Sequence, residues 1–171
     1  MFRSIMPFSA ALLLVACDNV PLISLPETEP PAEESLAAQC SRDATLSARL
    51  AASVNAARSA DGKAILEQNA LLDQIALAHA CDMAQTGRAD VAGSNGSNVV
   101  DRARSVGYPT CGVAQLVGTA GTPEGAVATW LSAEPQREQV MGQLSYQVGA
   151  GTVRGSDGRL WHSAVLGNNC Q

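Results

Sequence analysis

Apolar residues recur at helical spacing in the stretch that follows Cys40. Leu46, Leu50 and Val54 stand at i, i+4 and i+8, the stripe runs on to Ala57, and Gly62 interrupts it, which predicts a first helix. Asn69 can cap a second helix, whose inner face carries Leu72, Ile75, Ala76, His79, Ala80 and Met83, with Cys81 beside that face and Gly87 at its end. After a Gly-Ser-Asn-Gly-Ser-Asn loop at residues 93–98, Asn98 caps a short helix through Val99, Val100, Ala103 and Val106 that Gly107 stops. Residues 111–118 are short and apolar enough for a strand. Thr122, Pro123 and Glu124 then read as an N-cap, a proline at the first helical position and an acid on the helix dipole, opening a helix through Val127, Trp130 and Leu131. Residues 146–153 and 159–167 are strand-like runs around the hairpin signal Ser156-Asp157-Gly158. The order is three helices, a strand, a helix and two strands, which is an α+β arrangement.

The chain ahead of these elements has a different character. Arg3 is the one charge before Cys17, and residues 8–16 are an apolar run ending in small residues, too short for the roughly 20 residues of a spanning helix. We read residues 1–16 as a signal peptide. Leu14-Val15-Ala16-Cys17 resembles the lipobox of bacterial lipoproteins, which makes Cys17 the first mature residue and the point of lipid attachment. The alternative is an ordinary secretory signal with an incidental cysteine. Residues 17–39 carry Pro21, Pro26, Pro30 and Pro31 among Glu27, Glu29, Glu33 and Glu34, a composition that favours an extended, self-repelling tether from the bilayer. Residues 40–171 remain, a length suited to one domain. The expected location is a membrane anchored through Cys17, facing the periplasm or the cell exterior.

Charge and cysteine usage narrow the partners. Lys and Arg total 11 against 16 Asp and Glu, the net charge is −5, and no basic run exists, so nucleic acid is not an expected partner. Cys40, Cys81, Cys111 and Cys170 are an even number in an exported domain and predict two disulfides, with three pairings possible. No Cys-x-x-Cys pair or Cys/His cluster accompanies them. The domain's aromatic residues are Tyr108, Trp130, Tyr146 and Trp161, so aliphatic packing has to supply most of its core.

Several segments then resemble one known family. Val54-Asn55-Ala56-Ala57-Arg58, followed by Gly62, Leu66, Asn69, Leu72, Ala78-His79-Ala80 and Met83-Ala84, is similar to the opening of the CAP superfamily domain, whose bacterial branch is called SCP-like. Asp101-Arg102-Ala103-Arg104 with Gly107-Tyr108 resembles that family's third-helix motif, and Thr122-Pro123-Glu124 through Trp130-Leu131 its fourth. Val148-Gly149-Ala150-Gly151 with Trp161 resembles the closing strands. The resemblance covers residues 46–167 and implies a three-layer α-β-α sandwich around a small, largely antiparallel sheet.

The same resemblance implies a cleft holding two histidines and two acids that can bind a divalent metal, and here this chain departs from it. The bacterial His-x-Gly-Ser-Asp-Gly pattern aligns with residues 91–96, which places Val91 at the first histidine. The Gly-Glu-Asn-Ile-Ala motif aligns with residues 112–116 and puts Val113 at its acid. Gln136-Arg137 stands where the family reads His-Arg. No histidine occurs between Cys81 and Leu160, so a shifted alignment does not restore the site. A cleft without imidazole lacks the usual neutral-nitrogen ligands and general base.

Other residues read as structural. His79 on the inner face of its helix is a core packing residue, and His162 falls on a strand, on its solvent side. Trp130 at helical spacing is core, Arg102 and Arg137 bind carbonyls or carboxylates, and the glycine-rich loop is a tight turn before it is an anion cradle. The expectation is a non-catalytic CAP domain with no cofactor and no metal. Its candidate cleft at Val91, Val113 and Gln136 would take a small apolar or lipid-like ligand. The competing readings are an envelope scaffold that binds a protein or cell-wall partner and, behind it, a hydrolase.

Overall fold

The computed structural model describes residues 40–170. Cys17, the signal peptide, the tether and Gln171 lie outside them. The elements are α1 (Ala44–Ala60), β1 (Glu67–Gln68), α2 (Ala70–Thr86), α3 (Val99–Ser105), β2 (Gly112–Thr119), α4 (Pro123–Ser132), α5 (Glu134–Met141), β3 (Gln147–Arg154) and β4 (Leu160–Asn168).

Local chemistry sets the helix ends as the sequence predicts. Asn69 accepts hydrogen bonds from the backbone N–H groups of Leu71 and Leu72, and Gly87 closes α2 in the left-handed region at φ 69°. Asn98 and Asp101 form a reciprocal capping box on α3. Thr122 caps α4, with Pro123 in its first turn. Two elements were not expected from the pattern. β1 is two exposed polar residues with no alternation to detect. Helix α5 buries only Val140 among Glu, Gln and Arg, so it has no apolar stripe.

The sheet order is β1-β3-β4-β2, with β1 parallel to β3 and the other pairs antiparallel. Two helical layers sandwich it. On one face Leu50 and Val54 of α1, Val127 and Trp130 of α4 and Val140 of α5 pack on Leu116, Val148, Ala150, Ala164 and Leu166. On the other, Leu72, Ile75 and Ala76 of α2 and Ala103 of α3 pack on Val165, and Ala80 and Met83 pack on Val153 and Trp161. The three-layer α-β-α sandwich expected from the family resemblance is therefore the observed fold. With both faces covered, β3 and β4 are buried along nearly their whole length. His162 is for this reason fully buried, which corrects its reading as solvent-facing.

Glycine makes the close approach of α2 possible. A Cβ on Gly149 would collide with the backbone of Leu72 and Asp73, and one on Gly151 with the backbone of Ala76 and Leu77. The α2 backbone therefore rests on β3 at these two positions, nearer than any side chain permits. Beyond its short pairing with β1 and a single antiparallel bridge between Arg42 and Val153, the outer edge of β3 has no partner strand, and side chains close it. Asp73 Oδ1 accepts from Ala150 N at 2.8 Å, and Ser47 Oγ accepts from Thr152 N at 3.0 Å. Two backbone donors that would otherwise be buried and unmatched are satisfied in this way.

Of the three possible disulfide pairings the fold selects Cys40–Cys81 and Cys111–Cys170, with Cα separations of 5.9 and 5.1 Å. The first ties the segment before α1 to α2. The second joins the start of β2 to the end of β4, whose residues Gly112 and Asn168 are already paired. Sequence separations of 41 and 59 residues make each bridge worth about 4 kcal/mol in the chain-entropy model.

Gly151→Ala is expected to lower the unfolding free energy by about 3 kcal/mol or to prevent folding, since the neighbouring backbone cannot move aside. Gly112→Ala, whose added Cβ meets nothing within 4 Å, is the control and is expected to be neutral in urea denaturation.

Candidate functional site

The candidate cleft positions surround β2, the outer strand on the side of the sheet away from β1. Val91 lies in the connection between α2 and α3, Val113 on β2 and Gln136 on α5. Helices α3 and α5 flank β2 from opposite layers. Val91 is 51% exposed and Gln136 is exposed. Val113 is half-buried and packs on the Leu72, Ile75 and Tyr108 cluster. Val91 and Val113 thus belong to the α2/α3 layer, whereas Gln136 belongs to the α1/α4/α5 layer.

Buried polar side chains hold the Val91 connection in place. His79, fully buried on α2, has its Nε2 2.7 Å from Asp90 O, and because a carbonyl only accepts, Nε2 carries the proton. Asp82, also on α2 and buried, accepts from Ser94 N at 2.8 Å. From α3, the buried guanidinium of Arg102 donates to Val91 O at 2.7 Å, Ser97 O at 3.0 Å, Ser97 Oγ at 3.1 Å and Gln115 Oε1 at 2.6 Å. Gln115 in turn donates to Ser163 Oγ at 2.8 Å, which links the connection to both β2 and β4. Arg102 is therefore the carbonyl-binding residue expected, and Gln115 is a member of the network that the strand pattern did not single out. A lone polar residue at an inward position of β2 was the available signal.

The glycine-rich segment is a turn that spends most of its backbone donors within the fold. Gly93 N donates to Ser97 O, Gly96 N to Gly93 O and Ser97 N to Asn95 Oδ1, with Gly96 at φ 84°. Ser94 N donates to the Asp82 carboxylate in the same turn. The segment is thus spent on its own fold.

The second histidine is on the opposite face of the sheet. His162 Nε2 donates to Ala120 O at 3.1 Å, which leaves Nδ1 to accept from Thr152 Oγ1–H at 3.0 Å. Burial holds its pKa below the ordinary 6.5, with the carbonyl of Ala120 and the distant Glu124 opposing weakly. The two imidazoles therefore sit in different layers, each fixed by a backbone carbonyl.

That donor set does not fit a divalent metal. Valine side chains at 91 and 113 carry no ligand atom, and both imidazoles are committed to the interior. Among the described residues no group of three His, Cys, Asp or Glu side chains gathers to hold a metal ion. Arg137, next to Gln136, pairs with Asp61 at 3.4 Å. Two cavities formed by described residues, of about 300 and 320 Å³, lie elsewhere, beside the β3–β4 hairpin and beside the end of α1.

Two measurements probe this arrangement. Arg102→Met leaves the carbonyls of Val91 and Ser97 and the amide oxygen of Gln115 without their donor. It is expected to cost about 2–4 kcal/mol and to accelerate amide hydrogen exchange across residues 91–97. His162 binds its proton less readily folded than unfolded, so its stabilising contribution is complete above pH 6.5 and declines as pH falls below that value. The urea midpoint is expected to drop more between pH 7 and pH 5 in the native sequence than in His162→Gln.

The sequence profile of the CAP family, the cysteine-rich secretory protein family, matches residues 51–166. No curated protein sequence matches the chain. Among solved structures, an outer surface protein from Borrelia burgdorferi superposes with a TM-score of 0.65 at 13% identity, covering 70% of this chain and 90% of that one. An extracellular protein containing an SCP domain from Bacillus anthracis superposes at 0.60 and 16% identity, covering 67% of this chain and 37% of that one. A cysteine-rich secretory protein from Staphylococcus aureus superposes at 0.57 and 15% identity, with 71% and 38% covered. The chain thus spans under two-fifths of the last two proteins, and at these identities the likeness shows the fold. The profile match extends over more than half of the sequence, through the packed helices and the closing strands, and this protein belongs to the CAP family.

Proposed function

We propose that this protein is a lipid-anchored CAP domain of the bacterial envelope that works as a non-catalytic binding module for a small apolar or lipid-like ligand. The observation that carries the reading is the state of its two imidazoles. His79 and His162 are both sealed in the core by carbonyl hydrogen bonds, while the positions that align with the family's metal and acid–base groups hold Val91, Val113 and Gln136. Proton transfer and metal binding lack a group at the cleft, and apolar contact is the chemistry left there.

The anchor rests on the sequence around Cys17. Export is supported by the two disulfides, which persist in oxidising compartments, and by the surface or extracellular descriptions of structural neighbours. The rigid fastening of the Val91 connection by His79, Asp82 and Arg102 supports a preformed binding edge, since a held loop loses little freedom when a ligand arrives.

The full chain, purified from the membranes of an expressing bacterium, is expected to show a diacylglyceryl mass increment on Cys17. Under native mass spectrometry it is expected to retain a small apolar molecule that Val91→Asp releases. A Cys17→Ala variant is expected in the soluble fraction. Retention of a zinc ion, or hydrolytic activity that survives removal of the apolar molecule, contradicts the reading.

A further inference from the structure

A second site is built around Arg58, at the far end of α1 from Cys40. Arg58 is 1% exposed, and its guanidinium donates from Nε to Ala64 O at 2.9 Å and from Nη1 to Val140 O at 2.6 Å and Gly142 O at 2.7 Å. Every one of these acceptors is a neutral carbonyl. No carboxylate among the described residues reaches the group, and Nη2 takes no acceptor from them. A buried cation that meets only carbonyls keeps an uncompensated charge. Desolvation accordingly holds the Arg58 pKa below its usual value.

Arg58 forms part of the wall of a cavity of about 320 Å³ between the end of α1 and the connection from α5 to β3. Lys63, Ile65, Gln143, Ser145 and Tyr146 line it as well. Lys63 adds a second cation, only loosely engaged by Asp61 at 3.9 Å, while Asp61 is shared with Arg137. Ile65 is 69% exposed and Tyr146 58%, and Leu144 between Gln143 and Ser145 is 81% exposed. Of the four large apolar side chains that the described residues leave open to water, Ile65 and Tyr146 line this cavity. A concave site combining a free cationic donor, two polar side chains and an apolar rim has the make-up of a small-molecule pocket.

We propose that this cavity binds a carboxylate carried on an apolar residue, either a free small acid or the C-terminal residue of a peptide. The carboxylate meets Arg58 Nη2 and the Lys63 ammonium, a charge-assisted pairing that the surrounding carbonyls cannot provide. The attached apolar group covers Ile65 and Tyr146. Gln143 and Ser145 supply donors and acceptors for an adjoining amide, which an acyl chain would leave unused. The site lies on α1, the β1 approach and the α5–β3 connection, away from Val91 and Val113, and it holds whatever occupies the cleft.

The test is calorimetric titration of the full chain in detergent micelles, with amide chemical shifts used to locate the contact. N-acetyl-leucine is expected to shift residues 58–65 and 143–146, and its neutral analogue N-acetyl-leucinamide to bind about tenfold more weakly or less. Lys63→Gln is expected to weaken N-acetyl-leucine several-fold. The exposed double change Ile65→Ser with Tyr146→Ala is expected to bring N-acetyl-leucine down to the affinity of acetate. Arg58→Lys keeps a positive charge but dismantles the carbonyl clamp that holds Ala64, Val140 and Gly142, so these surface variants carry the test. A tripeptide ending in leucine that binds more tightly than N-acetyl-leucine identifies a peptide C-terminus as the source, and weaker binding identifies a free acid. Equal affinity for the acid and the amide, equal affinity for N-acetyl-leucine and acetate in the native sequence, or shifts confined to other residues would overturn the proposal.

Discussion

The contact between the α2 backbone and the two glycines of β3 is the constraint from which the rest of the architecture follows. A helix usually stands about 10 Å from a sheet because side chains intervene. At Gly149 and Gly151 nothing intervenes, so α2 is drawn down onto the sheet and its inward residues reach to both sides of the contact. Leu72, Ile75 and Ala76 then close the core with Tyr108 and Val165, and Ala80 and Met83 do the same with Val153 and Trp161. Asp73, brought to the β3 edge by the same approach, satisfies Ala150 N and fixes the helix along the strand direction. The position of α2 also decides where His79 and Asp82 stand, and through them the path of the chain at Asp90 and Ser94.

The interior compensates for few aromatic residues with polar side chains that act as fasteners. His79, Asp82, Arg102, Gln115, Thr152, His162 and Ser163 are all buried, and each reaches a backbone group or another buried side chain. Burying a polar group costs free energy unless its bonds are made, so such a network specifies one arrangement of loops far more narrowly than aliphatic packing does. Two disulfides restrict the unfolded chain in addition. The result is a small domain whose connections, the usual seat of function, are held as firmly as its helices.

That firmness bears on both binding proposals. At the β2 edge Arg102 and His79 hold the chain through backbone carbonyls, while Val91 and Val113 carry no ligand or proton-transfer group. Arg58 shows the same division within one side chain. Two of its nitrogens clamp the carbonyls of Ala64, Val140 and Gly142, and the third is left over at the wall of a cavity. A group recruited for architecture can thereby present a charge for recognition without any further change in the fold.

The sequence by itself determined helices α1 to α4, because caps and stops act over three or four residues: Asn69, Gly87, Asn98 and Thr122 mark ends that depend on no distant partner. It also determined the three main strands, β2, β3 and β4. Strand β1 and helix α5 were decided by tertiary structure, since β1 exists only through its bonds to β3, and α5 has a single buried residue, Val140, to hold it. The disulfide pairing was decided there too, three pairings being equivalent until the strands bring Cys111 to Cys170. His162 is the clearest case. Alternation along a strand distinguishes two faces but does not say that both are covered, and only the second helical layer turns a histidine on a strand into a buried, neutral one.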